Sequence, residues 1–187
     1  MVSVSPIHRG LKFLWNKGSG QADESKKKEV TPLREGYLSE NFSLGELTYS
    51  ETATSKGIDN TPSEKHIEAL KGVCLHVLEP CRKQFARSIT PSSGYRSKEL
   101  CKAIGSKATS QHAKGQAVDF KVIGVSNLEL AEWIRDNLEF DQLILEFYKP
   151  DDPNAGWVHC SYRADGKNRK ECLRYSGKRY KKGLTDE

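Results

Sequence analysis

The chain has 187 residues, 36% of them hydrophobic and 29% charged, with a net charge of +5 and a pI near 8.9. That length fits one domain with tails and a modest core, and no run approaches the roughly 20 apolar residues of a membrane-spanning helix. The basic balance favours acidic partners, but bacterial walls, nucleic acids and anionic membranes all meet that description.

Residues 1–35 read as a flexible basic arm. The stretch from Asn16 to Val30 is polar, charged and contains Gly and Ser. Ahead of it Ile7, Leu11, Phe13, Leu14 and Trp15 form a short apolar group, read either as an anchor for a partner or as a disordered end. Leu11–Trp15 is too short for a secretory signal core and contains Lys12. The expectation is therefore synthesis in a cytoplasm, with delivery to any external substrate by another agent.

From Leu38 the pattern tightens. Ser43 and Glu46 have capping-box spacing and open a short helix ending near Tyr49. Thr61-Pro62-Ser63-Glu64 predicts a stronger start, with Thr61 as cap, Pro62 in the first helical position and Glu64 reaching back. Ile67, Leu70, Cys74, Val77 and Leu78 then recur on one helical face. Pro80 is expected to kink or end that helix, or to be carried through as far as Phe85. His66 and His76 on it read as surface groups. Cys74 and Cys81 lie about 10 Å apart along such a helix, beyond the roughly 7 Å that a disulfide spans. The odd total of five cysteines likewise favours free thiols.

Ser88–Thr90 suits a short strand, and a loop through Gly94 leads to a helix from Lys98 to about Ile104. Ala117–Val122 is a strand with Ala117, Asp119 and Lys121 on one face and Val118, Phe120 and Val122 on the other. Ser126 opens a helix running to about Asn137. In the next strand Leu143, Leu145 and Phe147 share one side, and Gln142, Ile144, Glu146 and Tyr148 the other. Trp157, His159 and Ser161 share a face of the last clear strand, leaving Cys160 opposite. After Tyr162 the chain turns basic and polar; Leu173–Ser176 reads as an edge strand and Gly177–Glu187 as a tail. Tyr175 and Tyr180 among basic residues carry no recognised nucleic-acid motif, so no specific nucleic-acid partner is expected.

The chemistry gathers at three residues. His112 and Asp119 stand seven positions apart with Gly115 between them, and His159 lies in an apolar strand far downstream. Two imidazoles and a carboxylate are the ligand types of a catalytic zinc with one position left for water. Each also has an ordinary reading, as a surface or satisfied core group.

The setting of these residues decides between the readings. Ser110, His112, Gly115, Ala117 and Asp119 form S-x-H-x-x-G-x-A-x-D, followed by Trp157-Val158-His159. Gly57–Pro62, Leu78–Arg82, Ser93–Ser97 and Asp141–Phe147 accompany them in order. Together they resemble the zinc D-alanyl-D-alanine carboxypeptidase group (subfamily A of the M15 peptidases), and most of all its small phage-type branch, over roughly Leu38–Tyr162.

The resemblance implies an α+β fold of hedgehog/D-Ala-D-Ala-peptidase type, a small antiparallel sheet packed with helices. The expected division is an arm at 1–35, a peptidase domain at 36–165 and a basic extension at 166–187. It implies one Zn2+ per chain held by His112, Asp119 and His159. Arg96 would face the pocket and hold a substrate carbonyl or carboxylate, and Glu146 would be the catalytic base. Ser110, Tyr95 and Trp157 are further candidate substrate contacts; Ser110 suits a loop cap equally well, and packing alone would explain the other two. The expected substrate is a stem peptide or cross-link of bacterial peptidoglycan, cut by a monomer after host lysis or from within a virion. Better-known relatives place an acid three residues before the last histidine, where this chain has Gly156, with Asp151 and Asp152 as fallback bases. The competing readings are a catalytically weak zinc module that binds walls or builds virions, and a metal-free structural protein.

Overall fold

The computed structural model describes residues 33–185. Its helices are α1 (Leu44–Thr48), α2 (Glu51–Lys56), α3 (Glu64–Val73), α4 (Glu79–Phe85), α5 (Lys98–Ala103) and α6 (Asn127–Asn137). The strands are β1 (Ile89–Ser93), β2 (Ala117–Val122), β3 (Gln142–Glu146), β4 (Trp157–Ser161), β5 (Glu171–Tyr175) and β6 (Tyr180–Lys182). The fold is α+β, with one six-stranded sheet in the order β1-β2-β4-β3-β5-β6. The expected antiparallel sheet is corrected to a mixed one, because β5 runs parallel to β3.

Local chemistry sets the helix starts. Ser43 and Glu46 satisfy one another's backbone N–H groups at α1, and the Ser126 hydroxyl accepts from Glu129 N–H at α6. The α3 start moves from Thr61 to Ser63, where the His66 ring, not Glu64, closes the box. Thr61 is held instead by a turn in which its N–H donates to Asp59. Pro80 does not end the helix. A π-helical turn at Cys74–Leu78 precedes it, shifting the backbone bonds by one residue, so that Glu79 N–H reaches back to the Cys74 carbonyl. The helical path then continues to Phe85, the outcome left open by the periodicity.

The core lies on one face of the sheet. Val118, Phe120, Leu143, Leu145, Val158 and Cys160 point there and meet Leu70, Val77, Leu78, Leu130 and Ile134 of the helices. Two-residue alternation on the strands and 3.6-residue spacing on the helices thus converge on one apolar layer. The opposite face of the sheet carries the polar residues of β2, β3 and β4.

Two expectations about the end of the chain change. Residues 171–182, taken as part of an extension, supply β5 and β6 to the same sheet. Leu173–Ser176 is not an edge strand, since β5 lies between β3 and β6. Alternation also fails at Phe147, whose φ of +54° takes it out of the strand. Its ring turns from the core to pack on Trp157 and Tyr175. The apolar group expected between Ile7 and Trp15 lies outside the described residues. No helix among the described residues is long and apolar enough to cross a membrane.

Candidate metal centre

Strand register brings the first two groups together. β2 and β4 are antiparallel, and Asp119 is directly opposite His159 on the face away from the core. A slip of β4 by one residue would turn His159 into the apolar layer and away from Asp119. His112 arrives from a different element, a 3-10 turn at His112–Lys114. Gly115 ends that turn at a φ of +68°, and a Cβ there would sit 2.5 Å from the His66 carbonyl oxygen. Only glycine fits both constraints.

The three side chains converge. His159 Nδ1 is 2.8 Å from Asp119 Oδ1, His112 Nε2 is 3.2 Å from the same oxygen, and the two ring nitrogens are 3.1 Å apart. All three residues are buried. A tetrahedral zinc with bonds near 2.1 Å separates its ligand atoms by about 3.4 Å, so the trio needs to open by only about 0.2–0.6 Å. The donor set fits as well, because one carboxylate and two imidazole nitrogens facing one another supply lone pairs in excess of protons.

Neighbouring groups fix these side chains. His112 Nδ1–H donates to the Gly94 carbonyl at 2.6 Å, which leaves Nε2 with its lone pair toward the centre. Arg96 donates from Nη2 to Asp119 Oδ2 and from Nε to the Ser93 hydroxyl. Oδ1 is thereby left to face the imidazoles. Burial lowers the pKa of His112, against the opposing pull of Asp119, and so favours the neutral ligand form. For Asp119 burial acts to raise the pKa, but His112 and His159 outweigh it and hold the acid well below the usual carboxylate range.

The trio opens onto a cleft of about 750 Å³. Arg96, Ser110, Glu146 and Trp157 line it. Glu146 ends β3 opposite Trp157, one same-face position along from the His159–Ile144 pair. Burial raises its pKa from 4.5, the charge of Asp119 adds to this, and His159 and Arg96 oppose it. The Ser110 hydroxyl accepts from His112 N–H while also facing the cleft, so it caps the ligand's turn. The Trp157 ring lines the wall, and its Nε1–H is buried without a partner among the described residues.

Tyr95 is corrected. It is 6% exposed, packs in the core against the His66 ring and does not line the cleft. Asp151 and Asp152 are exposed in the β3–β4 connection and do not line it either. Gly156 explains why no acid stands three residues before His159. Its φ is +70°, and a Cβ there would lie 1.7 Å from the Glu146 carbonyl oxygen. The tight return of β4 onto β3 leaves no room for a side chain.

Sequence reasoning missed one wall of the cleft. Leu173, Tyr175 and Tyr180 line it from β5 and β6. The alternation of Leu173 and Tyr175 was a signal, but nothing local reveals that β5 pairs with β3.

Comparison with curated proteins gives no significant match. A family model described as Peptidase M15 matches residues 40–161, a span that holds His112, Asp119, His159, Arg96 and Glu146. With more than half of its length matched, the chain belongs to the Peptidase M15 family, whose peptidases are zinc-dependent.

Proposed function

We propose that the chain is a zinc peptidase that hydrolyses peptide bonds of bacterial peptidoglycan, in stem peptides or their cross-links. His112, Asp119 and His159 would hold one zinc per chain, and Glu146 would be the general base. The observation that carries this reading is the shared cleft: register puts Glu146 beside the His–Asp–His trio, and Gly156 bars an acid from the alternative position. The resemblance to the phage branch extends the proposal to a wall-degrading enzyme released at lysis or carried in a particle.

Zinc bound there would supply Lewis acidity and lower the pKa of a bound water to about 7. Glu146 takes the proton of the attacking water as its oxygen bonds to the scissile carbonyl carbon. It then delivers that proton to the leaving nitrogen as the C–N bond breaks, giving an acid and an amine. Partial burial suits this exchange, because a carboxylate of raised pKa holds a proton more readily than an exposed one. Arg96 anchors Asp119 and sets a permanent positive charge in the cleft wall, where negative charge develops on the carbonyl oxygen. Trp157 and Ser110 would contact the substrate from the two sides.

Glu146→Gln tests the assignment. Turnover of purified peptidoglycan should fall by about 10²–10⁴ while bound zinc is retained. Turnover at the wild-type rate in that variant would remove Glu146 from the chemistry.

A further inference from the structure

The described sheet does not stop at the metal-facing strands, and its register draws a path across it. Asp119, His159, Ile144, Leu173 and Lys182 are successive partners on β2, β4, β3, β5 and β6 and form one row on the cleft face. A second row runs beside it through Trp157, Glu146, Tyr175 and Tyr180. The tyrosine rings stack with centroids 4.5 Å apart, and Phe147 packs on both Trp157 and Tyr175. Ile144 and Leu173 are therefore an apolar floor and the aromatic row a wall, with the loop at residues 104–111 on the other side.

Resting on the peptidase reading, we infer that this groove takes an extended peptide leading from the scissile bond toward β6. The substrate is then a long stem or cross-linked peptide, not a free dipeptide. Three interstrand steps of about 4.8 Å separate β4 from β6, roughly 14 Å, and an extended chain rises about 3.3 Å per residue. The groove thus holds about four residues on one side of the bond. Among the described residues no strand lies beyond β6. A flat aromatic wall over an apolar floor suits the backbone and small side chains of such a peptide. Leu173, Tyr175 and Tyr180 of β5 and β6 lie beyond the family match, which ends at residue 161.

The test is a series of wall-type peptides two to six residues long. For the zinc-loaded protein, kcat/KM should rise at least about tenfold with length and level off near five residues. Tyr180→Ala should reduce the value for the longest peptide about tenfold more than for the shortest, and Tyr180→Phe should restore the length dependence. Rates independent of length, or equal losses at both lengths in Tyr180→Ala, would overturn the groove and leave the peptidase reading intact. Hydrolysis at no length would overturn the peptidase reading itself. Calorimetric binding of the same peptides then judges the groove alone: tighter binding with length, weakened about tenfold by Tyr180→Ala, supports it, and length-independent binding overturns it.

Discussion

At the scale of single residues the candidate site depends on two positions that touch no metal. Gly156 permits β4 to return within van der Waals contact of the Glu146 carbonyl, and so aligns the strand that carries His159. Gly156→Ala should cost at least about 2 kcal/mol, from a left-handed φ and a clash with backbone. Urea unfolding measures this. As the proposed base, Glu146 would set the pH response. A base must be deprotonated, and its raised pKa means that activity is full at higher pH and lost as pH falls through a value above the ordinary 4.5. A kcat/KM profile, with zinc content followed at each pH, should show its acidic limb there; a limb at or below 4.5 contradicts the burial argument. His112, Asp119 and His159 were singled out by the motif segments around them, since two imidazoles and a carboxylate alone read equally well as ordinary groups. Tyr95 was misplaced because it lies in a loop, where no period reveals the side-chain direction.

At the scale of elements the His112 turn is held by a buried acid that motif reasoning did not single out. Asp141 precedes β3, accepts from Gln111 Nε2 at 2.8 Å and receives the Arg169 guanidinium on both oxygens. It thus ties the loop before His112 to the segment before β5. The bond from Arg169 is the main cause of its lowered pKa; burial opposes it, and Gln111 adds to it. A depressed folded pKa means stability that is present above the unfolded value near 3.8 and lost as pH falls through the folded one. Asp141→Asn should therefore destabilise by about 1–3 kcal/mol at pH 7, and the gap to wild type should shrink toward pH 3. A gap independent of pH contradicts the ion-pair account. Elements with strong periodicity, such as β2 and α6, were read to within a residue. The start of α3 was not, because Thr61 and Ser63 are both good caps and the choice rests on His66. The π-helical turn was invisible for a similar reason: its carbonyl shift has no composition of its own.

At the scale of the whole molecule one face of the sheet makes the core and the other makes the cleft. The division of faces was legible in β2, β3 and β4, where alternation separates apolar from chemical residues. The order of strands was not, since β3–β5 pairing joins segments with β4 between them, and no local pattern records it. The basic end of the chain looked like a tail because its short strands are half-exposed and gain stability from neighbours rather than from burial of their own.

The proposed metal binding links all three scales. A metal bound only by the native state adds about 4 kcal/mol of stability at a thousandfold excess over Kd. Chelation should therefore lower Tm by roughly 10 °C, a shift that His112→Ala should abolish. The central claim is that two imidazoles and one carboxylate meet at a single zinc. Elemental analysis after zinc reconstitution and dialysis tests it most directly, on the wild-type chain and on His159→Ala. The account predicts about one zinc per wild-type chain and close to none in the variant with its fold retained; less than about half a zinc in the wild type, or equal zinc in both, would contradict it.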